Sequence, residues 1–549
     1  MAGRLQLNTV GNDIIFPYDE PQFSHFSQIF NKHTNFARKN FHIKYDNIFK
    51  FGGLTTINVP QNSGDLLNKV ILKVTLPQIP SIPGGYDPDG NYSPNHNENN
   101  VYQFQPVRIC YQESVGHALI EYIDLKIGNQ IIERITGETL QIHSEISDDS
   151  GKQIIHNKLI NKFPDPSRRD ACSSVPVALN NDPDNSDNDY DIDDNELAGF
   201  TGDLEMMFNI PFYFSKNPKL YLPICSIYKQ EISFDIKFRN FEDIIVEYIK
   251  PNFYSATWGV PWFTLGVNEV NNDLKKYLKD IEIKDGDFII EQTFLDNIEK
   301  IRLKNRKTDY LMTETQLQSF DMNEEMGKVP EKQFNLSFKN PVIELYFVIQ
   351  RKNGTDIGTN NTPLPRTNLV IKGSTYVTHF DYDNSSDEHV EHQDIGDYDS
   401  TSRERPLAHI GTWDNLEYLT LTLDGNDVIT REIGDYLMLG TSQFNLHHKR
   451  TPQSRRFYMY SFALKPDEWE PSGYLNFTNI KNQILNIRLF SSEAFMCKAQ
   501  IPGIGHSANP VSSITVNPDT WYVFPRILRV YAKSYNILRV KDGVATKIF

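Results

Sequence analysis

The chain has 549 residues, of which 39% are hydrophobic and 12% aromatic. That length predicts two or more domains, and the apolar content is too high for a disordered chain. A formal net charge of −16 argues against sequence-independent binding of nucleic acid, because the phosphate backbone is negatively charged.

The N-terminal stretch MAGRLQLNTVGNDIIF has no apolar segment of the secretory type, and Ala2 stands where myristoylation requires glycine. No apolar run approaches the roughly 20 residues of a membrane-spanning helix. The cysteines lack CxxC and metal-like spacing, which predicts reduced thiols rather than a disulfide framework. They are Cys110, Cys172, Cys225 and Cys497. We therefore expect a soluble protein that folds in the cytosol.

Short strand-like segments recur along the chain between clusters of Gly, Pro, Asn and Asp. They are TTINVP, KVILKVTLP and EISFDIKF in the first half, and QFNLSF, IELYFVIQ and IKNQILNIRLF in the second. Helical periodicity is sparse, and NNDLKKYLKDIE at 271–282 is the best candidate for a short helix. The pattern predicts an all-β protein built from sandwiches or barrels.

Two distant segments of the chain are nearly the same. They are IEYIDLKIGNQIIERITGETL at 120–140 and LEYLTLTLDGNDVITREIGDYL at 416–437, where Asp424 is an extra residue. Both place large apolar residues at every second position, which predicts a half-buried strand. Both then supply a Gly-Asn pair suited to a tight turn. Each copy therefore predicts a strand, a turn and a second strand.

We call this repeated pair of segments the first echo. A second pair of similar segments, the second echo, follows it in the same order in both halves of the chain. FYFSKNPKLYLP at 212–223 resembles YSFALKPDEWEP at 460–471. The two echoes lie farther apart in the first copy, because an insertion at about 148–200 separates them. This insertion contains the acidic stretch NNDPDNSDNDYDIDDNE. The sequence therefore predicts a duplicated all-β domain with an acidic loop in the first copy.

Three long polar loops stand out, at 78–107, 148–200 and 351–407. Loops of such length in compact β-domains are usually functional or mobile. We interpret them as solvent-exposed loops that have no binding function. The acidic stretch 182–196 has no glycine, although an EF-hand loop requires one at its sixth position.

The histidines test whether the chain is a two-domain metalloenzyme of the cupin type, which needs an HxH pair on one strand face. His447 and His448 are adjacent and would point to opposite faces of a strand. His389 and His392 are three apart in a polar loop. We interpret these four as loop or surface histidines. The sequence predicts no catalytic, cofactor-binding or metal-binding residue, and no enzyme activity.

Four segments resemble the major capsid proteins of nucleocytoplasmic large DNA viruses. They are PQFSHFSQIFNKHTNFA (21–37), GHALIEYIDLKIGNQIIER (116–134), PFYFSKNPKLYLPICSIYKQEISFDIKF (211–238) and YMYSFALKPDEWEPSGYLNFTNI (458–480). They span nearly the whole chain in the family's order. The resemblance implies a double jelly roll, in which two tandem eight-stranded jelly-roll β-sandwiches with long inserted loops form one polypeptide.

The echoes and the resemblance together predict how the chain is divided. We expect an N-terminal arm at 1–22 and a first jelly roll at 23–249, with the acidic loop inserted at about 148–200. A linker or insertion follows at 250–293. The second jelly roll and the C-terminal segment occupy 294–549, with a loop insertion at about 351–407.

The resemblance implies a structural subunit of an icosahedral virus capsid that self-assembles into pseudo-hexagonal trimeric capsomers. The expected partners are two further copies, neighbouring capsomers and minor capsid proteins under the shell, without direct nucleic-acid binding. We expect assembly in the host cytoplasm, close to an internal viral membrane but without insertion into it. The N-terminal arm to about Asn31 and the segment HTNFARKNF are candidates for contacts at the capsomer base, with an ordinary first strand as an equal alternative. The alternative function is a two-domain, bicupin-like metalloenzyme or a carbohydrate-binding protein.

Overall fold

The computed structural model describes two β-rich halves. The described residues are 4, 33–44, 49–61, 63–80, 85–86, 92–93, 105–147, 150–162, 202–249, 263–265, 278, 281–322, 331–351, 380, 416–452, 457–489 and 526–549. Within them, no helix is both long enough and apolar enough to cross a bilayer. The N-terminal arm apart from Arg4, nearly all of the predicted helix at 271–282, and most of the loop at 351–407 lie outside these residues.

The described part of the first half contains thirteen strands. They are β1 (Phe36–Lys44), β2 (Leu54–Asn58), β3 (Leu66–Leu76), β4 (Gly85–Tyr86), β5 (Tyr92–Ser93), β6 (Gln105–Tyr111), β7 (Ile120–Ile127), β8 (Gln130–Thr136), β9 (Leu204–Ile210), β10 (Ile232–Phe238), β11 (Ile245–Ile249), β12 (Phe263–Leu265) and β13 (Asp285–Leu295).

The described part of the second half adds ten strands. They are β14 (Thr308–Met322), β15 (Glu331–Leu336), β16 (Pro341–Arg351), β17 (Leu416–Leu423), β18 (Asn426–Ile429), β19 (Tyr458–Ser461), β20 (Leu475–Asn476), β21 (Gln483–Leu489), β22 (Arg526–Lys541) and β23 (Val544–Lys547).

The α-helices among the described residues are short. They are α1 (Val115–Ala118), α2 (Gly137–Ile146), α3 (Ser150–Leu159), α4 (Asn297–Asn305) and α5 (Gln443–His447). Helix α3 occupies the start of the predicted acidic insertion, and the residues from 163 to 201 lie outside the described part of the chain.

The first sandwich consists of two four-stranded antiparallel sheets. One has the strand order β1-β13-β3-β9 and the other the order β2-β10-β7-β8. Their inner faces meet in one apolar core, where the rings of Phe234 on β10 and Phe288 on β13 lie 5.2 Å apart. Strands β4, β5, β6, β11 and β12 form a separate five-stranded sheet.

The second sandwich repeats the same arrangement. One sheet has the order β14-β22-β16-β19 and the other the order β15-β21-β17-β18, so each strand takes the place of its counterpart in the first sandwich. Numbered by their order within each sandwich, both read 1-8-3-6 and 2-7-4-5. The predicted double jelly roll is thereby confirmed, with eight strands in the same order in each sandwich; β20 and β23 are added to the larger sheet of the second, where they pair with β16 and β22.

The first echo is a hairpin that occupies the same place in both sandwiches. β7 and β8 pair in the first, and β17 and β18 pair in the second. The echoed arginine also makes the same contact twice. The Arg134 guanidinium lies 4.3 Å from the centre of the Tyr122 ring, and that of Arg431 lies 4.4 Å from the Tyr418 ring. The second echo connects β9 to β10 in the first sandwich and β19 to β21 in the second, so both echoes are structural.

The glycine that follows both hairpins, Gly137 in the first copy and Gly434 in the second, has no room for a side chain because a backbone carbonyl lies against its Cα. A Cβ atom on Gly434 would lie 1.7 Å from the carbonyl oxygen of Leu419, and one on Gly137 would lie 2.3 Å from that of His117. We expect Gly434→Ala to lower the free energy of unfolding by about 1–3 kcal/mol, because the strand must shift. Denaturant unfolding measures this. The control is Gly151→Ala on α3, where a Cβ meets nothing within 4 Å, and equal losses in both variants would contradict the explanation.

The division between the sandwiches differs from the predicted one. The predicted linker, 250–293, contains most of β13, which pairs with β1 and β3 and is the eighth strand of the first sandwich. Helix α4 then connects β13 to β14, the first strand of the second sandwich. The predicted boundary therefore cuts through a strand. Its partners are more than 200 residues earlier in the chain, a distance over which local patterns carry no information.

The cysteine prediction was wrong for Cys110. This residue on β6 is disulfide-bonded, and its partner lies outside the described residues. Cys225 is a free thiol, as predicted. Spacing along the sequence does not show which cysteines the fold brings together.

Candidate functional site

The site is the junction between the two sandwiches, where an outer sheet face of the second packs on the first. Along β22, Leu528, Val530 and Ala532 point into the second core, whereas Arg529, Tyr531 and Lys533 point the other way. Tyr531 belongs to the apolar core of the first sandwich, as do Tyr346 and Val348 on β16. Strand β16 reads as a nearly continuous apolar run because both of its faces are buried.

A buried carboxylate at the start of α2 connects the two sandwiches. Thr136 caps this helix, and Glu138 follows in its first turn, where the helix dipole favours negative charge. The Arg529 guanidinium donates two hydrogen bonds to Glu138, from Nε at 2.6 Å and from Nη2 at 2.7 Å. The Tyr531 hydroxyl donates a third. Such two-pronged charged pairs fix orientation as well as adding energy.

Four charged groups form a second cluster beside the first. Glu344 on β16 is fully buried and accepts from Lys533 Nζ at 2.5 Å and pairs with His448 Nε2 at 3.0 Å. His448 Nδ1 lies 2.9 Å from Asp467 Oδ2. Ser147, at the end of α2, donates to Asp467 at 3.4 Å and so connects this cluster to the first sandwich.

The pKa values of the four-residue ionic cluster are shifted in the directions that keep its groups charged. Burial opposes ionisation of Glu344, but Lys533 and His448 outweigh it and keep the pKa of the carboxyl far below its usual range. Burial likewise opposes protonation of His448, but hydrogen bonds to Asp467 and Glu344 raise its pKa to about 9. The pKa of Lys533 is raised against burial by Glu344. At neutral pH the cluster therefore contains two cations and two anions.

The raised pKa of His448 makes its contribution to stability depend on pH. The folded state holds the proton more tightly than the unfolded chain, whose histidine pKa is about 6.5. The contribution is therefore complete below about pH 6.5 and is lost as pH rises through 9. Denaturant unfolding of wild type and His448→Gln at pH 6, 8 and 10 should give a difference that shrinks with pH. A difference that stays constant to pH 10 would contradict a protonated His448.

The echoed connections and the C-terminal hairpin complete the junction. Lys219, from the first copy of the second echo, places its Nζ 4.6 Å from the centre of the Trp469 ring in the other copy. At the C-terminus, Gln230 accepts from Ala545 N at 2.7 Å, and Lys229 N donates to Gly543 O at 3.0 Å. The second sandwich is thus held at several separate points.

The structure distributes the four histidines differently from the prediction. His448 lies in the loop that follows α5, which agrees with the loop alternative, but it is buried in the ionic cluster and is not a surface residue. His447 ends α5, and its ring bonds the Leu464 carbonyl oxygen. His389 and His392 lie outside the described residues. Within the described part of the chain, no group of three or more His, Cys, Asp and Glu side chains is arranged to hold a metal ion.

Sequence reasoning missed the junction, although one signal was present. The stretch RVYAKSY alternates long polar or aromatic residues with small or apolar ones, as a strand with two different buried faces would. The segment HTNFARKNF is mostly strand β1, paired with β13, which is the ordinary-strand alternative. Whether this strand also contacts neighbouring subunits stays a prediction.

Among the large apolar side chains exposed on the described surface, three groups are considered as contact candidates. One group lies on α3, one on α4 and one around α5 and the second echo. They are Ile154 and Ile155, then Ile298 and Ile301, then Leu446, Leu464 and Tyr474. Exposed apolar groups of this kind are typical of protein–protein contact surfaces.

Two protein-family models match most of the chain. Residues 24–257 match the family described as major capsid protein N-terminus, and residues 299–546 match the large eukaryotic DNA virus major capsid protein. The major capsid protein of Phaeocystis pouchetii virus is 21% identical, with 99% of this chain and 98% of that protein aligned. The major capsid protein of Pyramimonas orientalis virus is 20% identical with the same coverage.

Solved structures of two such proteins share the fold. A structure of VP54 from the virus PBCV-1 superposes with a TM-score of 0.58 at 14% identity, over 96% of this chain and 100% of that chain. The Faustovirus major capsid protein gives a TM-score of 0.54 at 12% identity, over 94% and 93%. The likeness extends across both sandwiches.

Proposed function

We propose a shell-building function on the premise that this chain belongs to the major capsid protein family of the large eukaryotic DNA viruses. The protein is a structural subunit of an icosahedral virus capsid and is located in the virion. The observation that carries this function is the pair of sandwiches with one strand order, fixed to each other by a shared core.

Three copies of this chain form the capsomer. Each copy supplies two sandwiches of the same topology, so a threefold ring presents six similar sandwiches and tiles a surface almost as a hexagon does. Closed rings of identical chains are the usual form of such assemblies. The exposed apolar groups on α3, α4 and around α5 are candidate contacts with neighbouring copies.

The inner surface of the shell meets further partners in this proposal. Minor capsid proteins bind beneath the capsomers, close to an internal membrane that the protein does not enter, and assembly takes place in the host cytoplasm. The N-terminal arm, 1–22, is the candidate for contacts at the capsomer base on that side. Deleting residues 1–20 should impair shell assembly, scored by electron microscopy of particles, and an unchanged particle yield would contradict the role of the arm.

The protein performs no catalysis in this proposal, and the mass of the purified full chain tests the whole assignment. A trimer of about three times 63.4 kDa without bound metal, measured by light scattering and elemental analysis, is the expected result. A metal-loaded monomer or dimer would favour the two-domain jelly-roll enzyme instead.

A further inference from the structure

A cavity of about 80 Å³ lies within the junction. Helix α2 and β8 form one wall, and β14, β16 and β22 form the other. Both copies of the second echo reach it, the first through Lys216 and the second through Asp467. At about 15 Å³ for each water molecule, this space would hold roughly five waters. It is therefore large enough for a small polyatomic ion.

One cation in this cavity has no matching anion. Lys533 is neutralised by Glu344, and Asp467 by His448. Lys216 also lines the cavity and its side chain is partly exposed to solvent; Glu133, Asp467 and Glu344 act on it only through space, since no described carboxylate forms an ion pair with its ammonium group. When Lys216 is protonated, the cavity therefore carries a positive charge that has no ion-pair partner among the described residues.

The remaining carboxyl group in the cavity wall does not supply the missing negative charge at neutral pH. Glu133 on β8 is buried, and burial raises its pKa to about 8, although the Tyr213 N–H donates to it at 2.9 Å. The protonated carboxyl is a hydrogen-bond donor. Thr313 and Thr315 on β14 line the same space, and a threonine hydroxyl can also donate.

We propose that this cavity binds one small oxyanion, with Lys216 as its counter-ion and the Glu133 carboxyl and the threonine hydroxyls as hydrogen-bond donors. Phosphate and small carboxylates share the required chemistry, which is a compact negative charge on oxygen. The ion would bind both sandwiches at once and so strengthen the junction. This binding site goes beyond the shell-building function and does not depend on it.

Binding should depend on pH in one direction. Desolvation by the surrounding protein lowers the pKa of Lys216 to about 8, with a further contribution from Lys533, although part of the side chain remains exposed. Lys216 thus loses its charge over the same range in which Glu133 gains one. The other titratable or charged groups that face the cavity or stand behind its lining are His143, Tyr346, Tyr531, Lys533, Asp467, Glu344, His448, Glu314 and Lys547. We expect affinity to fall at least tenfold between pH 7 and pH 9.

Isothermal titration calorimetry of the purified full chain tests the proposal, with inorganic phosphate and acetate as probes and chloride holding ionic strength constant. One site per chain is expected for at least one probe, and the better probe identifies the class of ligand. Lys216→Met should weaken binding at least tenfold. The matched control is Lys481→Met at an exposed lysine, which should leave binding unchanged. Equal affinity in both variants would mean an adventitious ion only and would overturn the proposal.

A second variant keeps the proposal testable if Lys216→Met does not fold. Glu133→Gln keeps a neutral donor at the same place and removes the ionisation. It should bind phosphate or acetate as wild type does at pH 7 and more tightly than wild type at pH 9. Absence of binding by wild type at pH 7, or a pH profile unchanged by Glu133→Gln, would overturn the proposal. Neither result depends on whether the chain forms trimers.

Discussion

Glu138→Ala is expected to lower the free energy of unfolding by about 3–5 kcal/mol, one of the two largest effects that we predict. The change removes the carboxylate that accepts from Arg529 and Tyr531 across the junction. The arginine is then left largely buried without its main partner, and breaking a buried ion pair on one side typically costs this much. Urea unfolding followed by circular dichroism measures the loss in the free energy of unfolding.

The control for Glu138→Ala is an exposed pair of the same geometry. Asp309 and Arg539 also form a two-pronged pair, with both distances at 2.8 Å, on the solvent side of β14 and β22. Asp309→Ala should leave stability nearly unchanged, because water competes for both groups. If Glu138→Ala lowers the free energy of unfolding as little as Asp309→Ala does, Glu138 does not hold the sandwiches together.

Glu344→Ala is expected to be at least as damaging, again by about 3–5 kcal/mol. The substitution leaves two cations, His448 and Lys533, buried next to each other without the carboxylate that they share. The pKa of His448 should then fall, because one of the two hydrogen bonds that raise it is gone. Unfolding experiments give the energy, and NMR of histidine-labelled protein gives the pKa.

Two comparison variants show whether charge or volume is responsible. Glu344→Gln keeps the shape and should recover only part of the stability, since the amide cannot balance two cations. Glu417→Ala removes a glutamate from the partly exposed pair with Arg488 on the second sandwich and should have little effect. Full recovery in Glu344→Gln would show that packing, rather than charge, explains the loss.

The fold was predictable where the signal was local or repeated. Alternation around Leu125 and Leu421 marks strands whose apolar faces are buried, and the repeated hairpin placed both in equivalent positions. Strand β13 was not recognised as part of the first sandwich, because its pairing with β1 and β3 joins distant parts of the chain.

The junction was far less predictable than the fold. His448 directly precedes a lysine- and arginine-rich stretch, and nothing in the sequence around it shows that Glu344 and Asp467 will face it. Burial converts these ordinary polar residues into a charge cluster, and burial is a property of the assembled sandwiches. The disulfide at Cys110 escaped prediction for the same reason.

The continuous core between the two sandwiches has a mechanical consequence. Residues of both halves, such as Ile135 and Tyr346, belong to one apolar cluster, and close-packed interiors resist deformation. The angle between the sandwiches is therefore a fixed property of the subunit and not a hinge. A closed shell made of such rigid plates has to bend at the seams between capsomers, so its curvature is determined by the contacts at capsomer edges.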